Sequence, residues 1–264
     1  MRNKLTWEKD SVVSEYSAAS ALQAPEKTIF GELGARLSGM DVLDIGVGGG
    51  RTTLHLAPAA RAYVGVDCSN AMIDACKRRF GNRFPNASFL VGDATELRAV
   101  PSSSFDLIVF SYNGIDGVSH DDRLRVFREI HRVGRQDALF CFSSHNILSV
   151  RRLNPLHRHI SRNPLRTARN LAGWLSWTLR HRPTQSAESL RASPYAVIND
   201  GAHDNGLYQY YVSPREQMAQ LQPWCSQVRV FALADGQEII GQAEVERSTE
   251  RWLYYLARLK AKAA

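Results

Sequence analysis

Four residues in one short stretch carry the strongest chemical signal in this chain. They are Asp44, Gly46, Gly48 and Gly50, spaced D-x-G-x-G-x-G after an apolar run and before Leu54-His55-Leu56-Ala57. Glycines in a strand-to-helix turn permit positive φ and let a ligand approach the backbone closely. Amides at the start of the following helix then face a polar or anionic ligand group. Such turns are common, so spacing has to decide between readings. A dinucleotide fingerprint needs G-x-G-x-x-G, and Arg51 stands where its third glycine belongs. Two more carboxylates and a histidine occupy comparable positions. Asp67 ends an apolar run one βα unit later, where a carboxylate can accept both hydroxyls of an adenosine ribose. Asp93 follows the next run within Gly92-Asp93-Ala94, and His145 closes a later one.

The D-x-G-x-G-x-G element closely resembles motif I of class I S-adenosylmethionine (SAM) dependent methyltransferases. The resemblance continues through V-G-V-D, G-D-A, F-S-Y-N-G-I-D and F-S-S-H-N over roughly residues 40–146. That succession is similar to one branch of small-molecule and glycan-type enzymes. It implies that Asp44, Gly46, Gly48 and Gly50 bind SAM while Asp67 holds the ribose. By position, Cys68 and Met72 flank the adenine, Asp93 meets its exocyclic amine and Ala94 donates a backbone amide. Taken alone, Met72 would more often be core than cofactor wall. The resemblance also implies an N-terminal arm folding over bound SAM, which makes Tyr16 a lid candidate. Simple packing of Trp7 and Tyr16 on the domain surface is the competing reading.

These residues need a frame to hold them. Apolar runs at 42–45, 62–66, 87–91, 105–110 and 137–143 read as strands. Helical spacing at 25–37 and an amphipathic pattern at 121–133 supply two of the helices. Acids open the second and bases close it, with Gly134 as its natural C′ stop. Ser69 and Ser213 are expected N-caps, with Pro214 at a first helical position. Tyrosines alternate at 207–212 as on a strand, and 228–233 and 252–257 read as a final antiparallel edge pair. The expected fold is α/β: a Rossmann-like, seven-stranded class I methyltransferase sheet with a helical, Arg-rich insertion after strand five. The expected division is a SAM-binding core with its N-terminal lid at 1–146, a basic insertion at 147–206, and the rest of the core sheet at 207–264.

Composition narrows the class. At 264 residues and 44% hydrophobic content the chain can bury a full core. No apolar run reaches the roughly 20 residues of a membrane span, and the start lacks the apolar region of a signal peptide. Cys68, Cys76, Cys141 and Cys225 lie far apart without partner histidines, which fits reduced thiols in a cytoplasm. No metal cluster stands out. The net charge of +7 is concentrated: nine arginines against Glu188, Asp200 and Asp204 between 150 and 205 leave 9 − 3 = +6. The insertion's helix at 164–180, with Trp174 and Trp177 at its flank, suits an anionic or lipid-linked acceptor. A dimer contact and a peripheral membrane role are the other readings of this segment.

Methyl transfer from a sulfonium is an in-line displacement with an activated donor, so the protein chiefly positions the acceptor and excludes water. A hydroxyl acceptor also benefits from a base. His145 is the first candidate, with a plain hydrogen bond to its own loop as the bland alternative. His203 and Asp116 are the reserves. In open α/β sheets ligands sit beyond the strand carboxyl ends, which places Ser111 beside the methyl donor. Asn113, Asn146, Tyr208 and Tyr210 suit the orienting of a polar acceptor, and Arg166 and Arg169 its anionic group. The expected activity is methylation of a small polar acceptor, a hydroxyl of a sugar, glycan or other anionic metabolite. N-methylation of a small molecule is the alternative. An NAD-dependent oxidoreductase is disfavoured by Arg51 and the G-D-A element. A nucleic-acid enzyme is disfavoured because Ser111-Tyr112-Asn113-Gly114 is not an N/D-P-P-Y/F element, so no nucleic-acid partner is expected. A non-catalytic SAM-binding module stays open.

Overall fold

Strands covered on both faces read as continuous apolar runs, and five such runs build the centre of the sheet. The structure is a computed structural model describing residues 3–150, 160, 163–180, 186–199 and 207–262; His203 lies outside them. β1 (Asp41–Ile45), β2 (Ala62–Asp67), β3 (Ala87–Val91), β4 (Phe105–Phe110) and β5 (Gly134–Asn146) are parallel in the order β3-β2-β1-β4-β5. β9 (Trp252–Leu259) adds antiparallel to the far edge of β5, and β8 (Cys225–Ala232) adds antiparallel to β9. This is the expected seven-stranded path.

Two more strands exceed that expectation. β6 (Tyr195–Ile198) and β7 (Gln209–Val212) pair with each other antiparallel. β7 then meets β5 through His145↔Tyr211 and Asn146↔Val212. Because β9 already holds the other edge of His145, β7 occupies the edge that β4 vacates when it ends. The insertion is therefore not purely helical. Besides α7 (Pro164–Arg180) and α8 (Ala187–Ala192) it contributes β6, and residues 207–212 belong to this added pair rather than to the seven-stranded path.

Alternation along the strands feeds two cores. Val42, Leu107, Val109, Leu139 and Cys141 pack on one face of the sheet, and Leu43, Ile108, Phe110, Phe140 and Phe142 on the other. α3 (Ala24–Leu33) buries Ile29, Phe30 and Leu33, and Leu37 follows in a 3-10 turn. α5 (Asn70–Phe80) starts at Ser69, whose hydroxyl accepts from Met72 N. α6 (His120–Val133) starts at Ser119, with Asp121 and Asp122 in its first turn and His131 and Arg132 in its last. Gly134 stops α6 as expected, its N–H bonding to Ile130 O, with an extended φ of −68° because β5 begins there. Space explains the glycine: a Cβ would lie 2.3 Å from Leu259 Cδ1. α9 (Pro214–Leu221) has the expected Ser213 cap and leading proline, and α10 (Gln242–Arg247) precedes β9. The N-terminal arm forms α1 (Lys4–Trp7) and α2 (Asp10–Ala18). Asn3 pins it, donating to Gly117 O and Tyr208 O and accepting from Tyr208 N. Among the described residues no helix is long and apolar enough to cross a membrane.

Candidate active site

The strands β1, β2, β4 and β5 end on one cavity of about 870 Å³, and α2 and α7 reach its rim. Gly46 and Gly48 line it with φ of 64° and 54°. A Cβ at Gly48 would already touch the Tyr16 ring, and one at Gly49 would lie 2.4 Å from Ser17 N. The bare turn is thus required by the arm that covers it. Gly50, also left-handed, faces away and gives room to Phe80 of α5. The helix that follows, α4 (Thr53–Leu56), is only one turn long.

Asp67 ties this turn to the next. One carboxylate oxygen accepts from Gly48 N and the other from Ser69 N, each at 2.9 Å. Each oxygen keeps a further lone pair for a ligand hydroxyl. Burial raises the Asp67 pKa. Asp44 sits one strand over, where Oδ2 accepts from Thr52 at 2.5 Å and Tyr63 at 2.6 Å; burial lifts its pKa to about 6. Cys68, Met72 and Ala94 line the wall beyond Asp67, and burial pushes the Cys68 thiol up to about 12. Tyr16 closes the cavity with Trp7, the two rings 5.7 Å apart and edge-to-face. Asp93 is not part of this wall: its Oδ1 is held by the amide and hydroxyl of Thr95. These residues fit a SAM molecule through a backbone cradle, a diol-accepting carboxylate and an apolar slot.

Ser111 lines the cavity floor as part of a group that spacing does not reveal. Arg51 forms a two-pronged pair with fully buried Glu26, at 2.5 and 2.6 Å. Ser111 donates to Glu26 and accepts from Arg51, and the guanidinium lies 5.1 Å from the centre of the Tyr112 ring. Arg51 thus fastens the glycine turn to α3. Tyr112 and Asn113 follow with φ of 54° and 60°, successive left-handed residues of a kind that concentrates at functional sites.

The other half of the cavity is built around Asp116. This carboxylate is fully buried. Oδ1 accepts from Arg123 Nη1 and from Ser144 Oγ, both at 2.7 Å. Oδ2 accepts from the His145 amide at 2.7 Å and faces His145 Nδ1 at 2.8 Å. Enclosed in this way, Asp116 cannot meet an acceptor, and its place is behind the histidine. His145 itself lines the cavity, with Tyr211 stacked on it at 4.7 Å and Trp252 edge-on at 5.6 Å. Arg123 donates further to Ile115 O, Ser144 Oγ, Gln217 and Gln220, which leaves the ion pair fully hydrogen-bonded.

Of the expected acceptor residues, Asn113 and Arg166 line the cavity, whereas Asn146, Tyr208, Tyr210 and Arg169 do not. Asn146 spends its amide on Ser248 O and Leu148 N. The Tyr210 hydroxyl bonds to His120 and Gln220 on the opposite face of β7. Side chains alternate along a strand, so an expectation displaced by one residue selects the wrong face. Gln209 is the β7 residue in the wall, joined by Trp252, Arg251 and Asn170. A lone glutamine among tyrosines was the available signal for Gln209.

The strand order, the bare glycine turn and the acid ending β2 give this chain the fold of class I SAM-dependent methyltransferases. Residues 42–137 match the family described as the methyltransferase domain. A curated relative, the uncharacterized methyltransferase YcgJ of Bacillus subtilis (strain 168), is 31% identical over 123 residues, which is 46% of this chain and 47% of that protein. The chain thus spans about half the length of the curated relative it matches. The SAM-dependent methyltransferase of Mesorhizobium loti superposes with a TM-score of 0.58 at 18% identity, over 89% of this chain and 98% of that one. Phosphoethanolamine N-methyltransferase 1 of Haemonchus contortus, in complex with phosphoethanolamine and S-adenosylhomocysteine, gives 0.56 at 16%, over 100% of this chain and 46% of that one. At such identities the likeness is one of fold.

Proposed function

We propose that this protein methylates a hydroxyl of a small polar acceptor, a sugar, glycan or other anionic metabolite, with His145 as the base. The observation that carries this reading is the Asp116–His145 pair at the cavity wall. SAM, held by the glycine turn and Asp67, would supply an activated methyl group to the acceptor oxygen, whose proton would be left to be removed. Asp116 Oδ2 receives Nδ1–H, which leaves the Nε2 lone pair to take that proton and stabilises the resulting imidazolium. Trp7 and Tyr16 on one side and α7 on the other exclude water. Arg166 and Arg251 in the cavity wall suit an anionic group on the acceptor, and Arg166 of α7 is the described part of residues 147–206 that supports their reading as a basic lid.

The test is His145→Ala, measured by SAH release and by calorimetry of SAM binding. Turnover should fall by about 10²–10⁴-fold with SAM affinity retained. Full activity in that variant would remove His145 from the chemistry.

A further inference from the structure

Three buried polar atoms in the cavity wall have no hydrogen-bond partner: Asn113 Oδ1, Gln209 Oε1 and Trp252 Nε1. Asn113 and Gln209 are 6% and 8% exposed. Folded proteins rarely leave such groups unsatisfied, and each one needs a reason. All three lie on the acceptor side, and none belongs to the glycine turn or the Asp67 wall. Asn113 reaches His145 Nε2 through Nδ2 at 3.3 Å. Nδ1 carries the proton toward Asp116, so Nε2 accepts and the amide group must donate to it. The Asn113 carbonyl is therefore the atom left over. Gln209 lies two residues before Tyr211 on the same face of β7, and Tyr211 stacks on the His145 ring. Trp252 stands edge-on to that same ring.

The chemistry of the three atoms restricts what can satisfy them. Two amide carbonyls only accept, and an indole N–H only donates. An ammonium group donates without accepting, and a carboxylate accepts without donating. Hydroxyls on neighbouring carbons do both. Resting on the reading of His145 as base, we propose that this subsite selects a vicinal diol. One hydroxyl replaces Asn113 Nδ2 at His145 Nε2 and is the one methylated. Its neighbour donates to the Asn113 or Gln209 carbonyl, and a hydroxyl oxygen accepts from Trp252.

The probes are glucose 6-phosphate, glucuronate and 3,4-dihydroxybenzoate, each beside an analogue lacking one hydroxyl of the pair, with phosphoethanolamine as the amine control. Binding to the SAH-loaded protein is measured by calorimetry, and SAH release from SAM is measured separately. At least one diol should bind roughly five- to hundredfold more tightly than its analogue. Gln209→Leu should weaken that diol by a similar factor and leave SAM affinity unchanged. Equal binding of diol and analogue, binding of no diol, or methylation of phosphoethanolamine alone would each overturn the proposal. Diol selectivity that survives with full turnover in His145→Ala would instead overturn the base beneath it.

Discussion

The two halves of the cavity treat their polar groups in opposite ways. In the cofactor half, Asp67 is held by Gly48 and Ser69, and Asp44 by Thr52 and Tyr63. Most of these bonds join neighbouring turns of one βαβ unit. In the acceptor half, Asn113, Gln209 and Trp252 each leave a buried atom without a partner, although β4, β5, β7 and β9 bring them together from distant parts of the chain. A cofactor shared by many enzymes can be met by a self-contained wall. The proposed acceptor would be met by a wall that it has to complete.

The largest effect should come from the charged support of the acceptor half. Arg123→Met leaves Asp116 buried without its cation, which costs about 3–5 kcal/mol of stability. Urea unfolding reads this, and a loss below about 1 kcal/mol would mean that the acceptor half does not depend on its ion pair. The next effect lies in the cofactor half. Burial lifts the pKa of Asp44 to about 6 from 3.8, so the folded protein holds a proton there that the unfolded chain has released. Stability from this group is fully present below about 4 and is lost as pH rises through about 6. Relative to Asp44→Asn, the wild type should therefore lose about 3 kcal/mol between those limits, at about 1.4 kcal/mol per unit. Parallel unfolding curves across that range would show that Asp44 is not the strained carboxylate of this half.

Asp67→Ala sharpens the contrast at the ligand itself. It should weaken SAM by about 1–3 kcal/mol for each hydroxyl left unpaired, with diol binding to the residual complex unchanged. Calorimetry that found both affinities reduced equally would erase the division into halves. The smallest effect concerns the rim. Arg166 lines the cavity and Arg169 does not, yet both are exposed. Arg166→Ala should cost an anionic acceptor at most about 1 kcal/mol, fading as salt rises, and Arg169→Ala should cost nothing. Identical KM values for the two variants would place the lid's selectivity elsewhere.

The same contrast explains what was legible in the sequence. Asp44, Gly46, Gly48, Asp67 and the caps at Ser69 and Ser213 could be read because turn chemistry and capping are local. The acceptor half could be read only in fragments. His145 was visible as a polar residue ending a strand, but its dependence on Asp116 and Arg123 comes from packing between α6 and β5. Tyr208 and Tyr210 were expected in the wall because period-two alternation does not say which face is inward until the partner strand is known. β7 takes its register from His145↔Tyr211, a pairing across the whole insertion. Glu26 was hidden for a similar reason: it closes a capping box with Gln23 and pairs with Arg51 of another turn.

Among the described residues the β6–β7 pair joins the main sheet at His145↔Tyr211 and Asn146↔Val212, and it has a small core of its own around Ile147, Val150, Leu190, Ile198 and Tyr211. Side chains fasten it as well, Tyr210 to His120 and Gln220 and the Tyr208 backbone to Asn3, so acceptor-side residues ride on a support separate from β1, β2 and β3. Substitutions confined to β6 and β7 should therefore change the fit of the proposed acceptor and leave the glycine turn and Asp67 as they are.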